Sequence, residues 1–251
     1  MLATLFADIS LPQLALIAIV AVFASVVGGV AGYGTGALMP LVLVPIVGAE
    51  PVVPIIALSS LLTNSSRAIA FLPQVDWRRT LIVLAFAIPT CIVGAYGYSL
   101  LTGKGAQIVI GSMMTLSVPL RRISKKRGYT LNDRGLAVSS VGWGVVVGGT
   151  SGAGIILLSM LMAAGVQGAA VIATDAAISI VMGIVKIAVF GVAGIMTPKV
   201  IAVALLIGLV AFPGAFIARR LVEKLSLAAH TAILDAVVLF GGAAMLFGAF
   251  R

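Results

Sequence analysis

The chain predicts an all-α, polytopic membrane protein built from two pseudo-symmetric repeats whose helices are broken at glycine-rich segments. Three observations carry this. Of 251 residues, 61% are hydrophobic and 9% charged, and the mean hydropathy is +1.25; runs this apolar belong in lipid rather than in a soluble core. The stretch Val26-Val27-Gly28-Gly29-Val30-Ala31-Gly32-Tyr33-Gly34 returns 120 residues later as Val146-Val147-Gly148-Gly149-Thr150-Ser151-Gly152-Ala153-Gly154, with six of nine positions identical. Both copies lie in long uncharged runs, residues 9–49 and 135–174.

The elements follow in order. Residues 10–27 read as a retained first helix, because Asp8 is the only charge before it and a cleaved leader needs a basic start. Clustered glycines make a poor helix interior, at about 1 kcal/mol each relative to Ala, so the first helix should break over 28–36. A short apolar segment, 37–48, comes next. The run 9–49 allows two crossings, or one crossing and a re-entrant piece. Pro51 and Pro54 open a helix that runs to Phe71 and is ended by Pro73. Residues 80–102 and 105–120 are two further spans. The stretch 121–134, with six basic residues, reads as a loop between the halves. The second half then repeats the plan at 135–148, a glycine break, 155–164, 168–190, 200–218 and 228–250. About eight to ten membrane segments result, in one transmembrane domain over 1–251 with repeats 1–120 and 135–251.

The repeat reaches beyond the glycines. Gly94-Ala95-Tyr96 matches Gly214-Ala215-Phe216, and Lys104 matches Lys224, both at 120; Arg67…Phe71 matches Lys186…Phe190 at 119. Five segments per half give inverted repeats, with eleven basic residues on the side of 121–134 and Lys104, Lys199 and Arg251 on the other. Four crossings per half give parallel repeats and a weaker asymmetry, ten against four. Basic loops face the cytoplasm, which favours inversion, puts 121–134 in the cytoplasm and puts the chain in the cytoplasmic (inner) membrane.

Paired glycine breaks in corresponding halves are the best sequence pointer to a transporter's binding site. Unwound backbone at Gly28, Gly29, Gly32, Tyr33, Gly34 and Thr35, and at Gly148, Gly149, Thr150, Ser151, Gly152 and Gly154, would turn N–H groups toward an anion. Half-helices starting near Ala37 and Ile155 would add their positive ends. The plainer alternative is close helix packing through small residues, which the Gly28/Gly32 and Gly148/Gly152 spacing also serves. Arg67 and Lys186 fall well inside helices. A charge in lipid normally faces a cavity or a partner, or else snorkels to the surface. Asn64 belongs to a polar stripe with Ser59, Ser60, Thr63, Ser65 and Ser66, suited to lining a path or to bonding between helices. Asp175 is a candidate to carry a coupling proton, or a charge placed at a helix start. It shares a face with Lys186, but about 16 Å of rise separates them.

Other classes find little support. No glycine-rich loop ends in Gly-Lys-Ser/Thr, so an ATPase is not indicated. One histidine, His230, and one cysteine, Cys91, cannot build a His/Cys metal site, and no cofactor is expected. The net charge of +9 sits in short loops, where it orients the chain rather than binding nucleic acid. The residues therefore point to a secondary transporter of a small anion in a lipid bilayer; whether it works as a monomer or a homo-oligomer is not written in them. An anion channel or passive pore is the alternative, and a membrane enzyme lacks paired catalytic groups.

Taken together, Gly-Gly-x-x-Gly-x-Gly near the start of both halves, Ala57-Leu58-Ser59-Ser60, Ala173-Thr174-Asp175 and Val75-Asp76-Trp77-Arg78 resemble the sulfite exporter TauE/SafE family over essentially the whole chain. The chain departs from that family's usual Ala-Thr-Ser at Asp175, and has Gln74 where a Gly is common. The resemblance implies export of small sulfur-containing anions such as sulfite or organosulfonates.

Overall fold

The computed structural model describes residues 6, 8–31, 34–127, 130–221 and 227–250, with side chains except at 30–31, 121–127, 215, 219–221 and 227–236. Among these residues the chain is helical and has no strand. Helices α1 (Leu11–Ala31), α2 (Thr35–Val47), α3 (Val52–Phe71), α4 (Trp77–Ser99) and α5 (Gly103–Arg127) come first. Helices α6 (Asp133–Gly149), α7 (Gly154–Ala163), α8 (Ala169–Val192), α9 (Pro198–Ala211), α10 (Gly214–Leu221) and α11 (Leu227–Phe250) follow.

Five described stretches are long and apolar enough to cross a membrane: Leu11–Gly29, Val52–Gln74, Trp77–Ser99, Ala169–Val192 and Pro198–Ala218. Helices α2 and α7 have 13 and 10 residues. At 1.5 Å per residue neither crosses a ~30 Å hydrocarbon layer alone.

Two boundaries differ from expectation. Helix α1 continues through Gly28 and Gly29 to Ala31, and α6 runs through Gly148 to Gly149. Two glycines cost a helix about 2 kcal/mol, but freeing their backbone groups in lipid would cost several kcal/mol for each. The chain therefore stays helical until the later glycines. The expected loop 121–134 is also largely helix, since α5 persists to Arg127 and α6 begins at Asp133. Lys and Arg are good helix formers and are favoured near a helix C-terminus.

Helix packing is set by apolar faces and small residues. Helix α4 lies along α6 and α8, α3 along α8 and α9, α1 along α9 and α10, and α5 along α11. Helices α3 and α8 are antiparallel. Arg67, late in α3, meets Asp175, early in α8, and Gly183, later in α8, lies against Leu61 and Ala57, earlier in α3. At the α4/α6 seam a Cβ on Gly94 would be 2.1 Å from the Val145 carbonyl oxygen, and one on Gly148 would be 2.2 Å from that of Cys91. Only glycine lets the two backbones come this close. A Cβ on Gly214 of α10 would likewise be 2.4 Å from Ser25 Oγ of α1.

The Val75-Asp76-Trp77-Arg78-Arg79 corner is structural. Asp76 caps α4, its Oδ1 accepting from the Arg79 N–H at 3.0 Å and its Oδ2 from Arg79 Nη1 at 2.7 Å. The Asp76 N–H donates to Thr174 Oγ1 at 3.0 Å, and Arg79 Nε donates to the Ala164 carbonyl at 3.1 Å. Partial burial pushes the Asp76 carboxyl up, but the bonds from Arg79 outweigh it and hold the group below the usual carboxylate range. A carboxyl lowered by folding stabilises above its ordinary pKa, and that contribution is lost only as the pH falls through the lowered value. The cap is thus complete at neutral pH.

Candidate functional site

The two glycine segments meet inside the protein. After α6 the chain leaves the helix at Thr150, and α7 starts at Gly154. Gly152 has φ +86, a left-handed conformation that side chains resist. Ser151 Oγ donates to the Gly36 carbonyl at 2.6 Å, joining this turn to the first turn of α2. A Cβ on Gly36 would stand 3.1 Å from the Gly152 nitrogen, so the contact is backbone to backbone. Trp143 Nε1 donates to the Ala153 carbonyl at 3.0 Å and holds the turn against α6.

Above this junction lies a cavity of about 90 Å³, room for several water-sized molecules. The starts of α2 and α7 line it through Gly34, Thr35, Gly152 and Gly154. The first N–H groups of a helix lack acceptors within it and carry its positive end. Helices α3 and α8 complete the wall with Asn64, Arg67, Asp175 and Lys186.

Asp175 and Lys186 are buried and Arg67 is nearly so. The Arg67 side chain is 11% exposed and that of Asp175 1%, with Nη1 to Oδ2 at 3.2 Å. Arg67 Nη2 also donates to Asn64 Oδ1, one turn back on α3. Neither Arg67 nor Lys186 snorkels. Lys186 is 7% exposed, and among the described residues no carboxylate pairs with it. The other oxygen of Asp175, Oδ1, accepts no hydrogen bond among the described residues.

Ten of the residues expected to form a site line this one cavity: Gly34, Thr35, Asn64, Arg67, Thr150, Ser151, Gly152, Gly154, Asp175 and Lys186. Gly28, Gly29, Gly148 and Gly149 do not; they are helix residues, and Gly148 serves the α4/α6 seam. Gly32 and Tyr33 lie outside the described residues, as does the side chain of Asp235. Four hydroxyls of α3, those of Ser59, Ser60, Thr63 and Ser66, bond within their own helix rather than between helices, Ser60 Oγ to the Ala57 carbonyl at 2.8 Å and Ser66 Oγ to that of Thr63 at 2.8 Å. Such back-bonding satisfies a hydroxyl without a partner from another helix. Ser179 was missed. It follows Asp175 by one turn and precedes Lys186 by two, so the helical face already noted for those two charges contained it.

A larger cavity, about 300 Å³, lies toward the beginning of α3 and the end of α8, between Ile55, Tyr98, Ile195 and Val203, with Glu50 and Lys199 beside it. Size alone would favour it. The smaller cavity is the better candidate because a buried and a largely buried cation, a buried carboxylate and two helix starts converge there.

A cavity lined by cationic groups and helix N-termini within an apolar helical framework suits a small anion moving through a membrane. The family model described as sulfite exporter TauE/SafE matches residues 17–245. No curated protein and no solved structure matches the chain. With the family match running from the first helix into the last, the chain belongs to the sulfite exporter TauE/SafE family of multi-pass membrane transporters.

Proposed function

We propose that this protein is a secondary transporter that exports small sulfur-containing anions, such as sulfite or organosulfonates, across the cytoplasmic membrane. The observation that carries this reading is convergence. Arg67 and Lys186, which occupy matched places in the two halves, line the same cavity as the starts of α2 and α7. Uncompensated charge in a low-dielectric interior is costly, so both cations and helix ends are suited to an anion there. Asp175 is the group proposed to carry a coupling proton.

The two halves are proposed to be inverted repeats, 1–120 and 135–251. The antiparallel α3/α8 pair supports this. So does the equivalence of two seams, since Gly94 against Val145 and Gly214 against Ser25 are related by the same offset of 120. On this topology the basic stretch 121–134 faces the cytoplasm. Cysteine placed at Ser124 in a Cys91→Ser background is expected to resist an impermeant thiol reagent in intact cells and to react once the membrane is opened. Ready labelling from outside would reverse the orientation.

Flux into proteoliposomes tests the function. Sulfite transport is expected to saturate and to show counterflow, and Lys186→Gln should lower it by more than about tenfold, the size of a lost charge-assisted contact. An imposed proton gradient should drive the wild type but not Asp175→Asn. Flux that rises linearly without counterflow favours the channel instead. Undiminished flux in Lys186→Gln removes the proposed site.

A further inference from the structure

We infer that Asp175 selects substrates that bring their own hydrogen-bond donor, so that the preferred cargo is a singly charged sulfur oxoanion bearing an O–H or N–H rather than a bare dianion. This rests on the reading of the cavity as an anion site. The observations are geometric. Asp175 is 1% exposed and lines the cavity. Its Oδ2 is committed to Arg67, and its Oδ1 accepts no hydrogen bond among the described residues. A Cβ on Gly154 would stand 3.9 Å from Oδ1, which puts that oxygen beside the first residue of α7, where an anion held by the helix start would sit.

A buried acceptor without a donor is costly, and the cost is removed by any group that supplies the donor. A bare dianion cannot supply one. While Asp175 is ionised, the state in which cargo is selected, a dianion would place lone pairs against lone pairs at Oδ1 while its other oxygens faced Lys186 and the helix starts. A protonated oxoanion satisfies both sides at once, its O–H meeting Oδ1 and its charged oxygens meeting the cations. Charge balance agrees. Among the groups lining the cavity, two cations stand against one carboxylate, leaving a single positive charge for a monoanion to neutralise. Sites built to bond a substrate O–H or N–H discriminate strongly against an analogue that lacks it, because their own polar atom is then left unpaired.

Two probes of equal charge and similar shape isolate the donor: sulfamate carries an NH₂ where methanesulfonate carries a methyl group. Binding to the purified full-length protein is measured at one neutral pH, with sulfite as reference. Wild type is expected to bind sulfamate at least about tenfold more tightly, as a hydrogen bond to a charged group requires. In Asp175→Asn the amide oxygen stays with Arg67 and the amide NH₂ replaces Oδ1, so the preference should vanish or invert. The wild-type ratio stands even if that variant does not fold. Equal affinity for the two probes, or no sulfamate binding by protein that binds sulfite, overturns donor selection and leaves the anion site intact. Failure to bind all three anions overturns the anion-site reading itself.

Discussion

Arg67→Met is expected to cost the protein about 3–5 kcal/mol of stability, the range for removing one partner of a buried ion pair. The reason is what remains. Asp175 is 1% exposed and its Oδ2 has Arg67 as its ionic partner at 3.2 Å, while Oδ1 is already unbonded among the described residues. Removing Arg67 leaves a buried carboxylate without compensation. Asp175→Asn introduced into the same chain should recover most of the loss, since a neutral pair of similar volume is often as stable as the ion pair. Thermal unfolding of the purified single and double variants measures both effects, and their non-additivity gives the coupling. If Arg67→Met melts like the wild type, or the double variant is no better than the single, the ion pair has no structural role. Transport separates the two roles, because a refolded double variant still lacks a cation in the cavity and should carry anion poorly.

Gly148→Leu is expected to abolish the folded protein, whereas Gly142→Ala in the same helix should be neutral or slightly stabilising. A Cβ on Gly148 would meet the Cys91 carbonyl oxygen at 2.2 Å and the Ala95 nitrogen at 2.8 Å, both backbone atoms that cannot turn aside. Accepting a side chain there means separating α4 from α6 along a seam that also relies on Gly94 and Gly144. A Cβ on Gly142 meets nothing within 4 Å, so Ala there restricts the unfolded chain and gains about 0.4–1 kcal/mol. Yield of monodisperse protein from membranes, with unfolding of what is recovered, distinguishes the two. Equal yields for Gly148→Leu and wild type would mean that the seam is looser than described.

The same residues show how much was legible beforehand. Arg67 and Lys186 were singled out by their offset alone, and the structure places both on the wall of one cavity with residues of the two glycine-rich stretches. The roles of individual glycines were not. Gly148 and Gly152 belong to one motif, yet one is an α6 packing residue and the other a positive-φ turn. Composition marks both as helix-weakening, but only the neighbouring helix decides whether the backbone can break. The Arg67–Asp175 pair was also invisible. The two residues are 108 positions apart, on helices whose antiparallel contact no local pattern encodes.

What the sequence determined by itself was the solvent and the plan. A chain this apolar must satisfy its backbone within helices when it enters lipid, and a pattern repeated at a near-constant offset is the basis for the proposal of two related halves. Short-range physics suffices for that, because helix hydrogen bonds run four residues back. Only the tertiary structure decided which polar groups share one space. It brought Thr35, Arg67, Ser151, Asp175 and Lys186, drawn from four separate segments of the chain, around a single cavity. It also left one carboxylate oxygen there without a donor among the described residues. The physical reason is that in lipid the relative placement of helices follows from close packing of small residues and from burial of charge, and both are properties of pairs of helices rather than of any one.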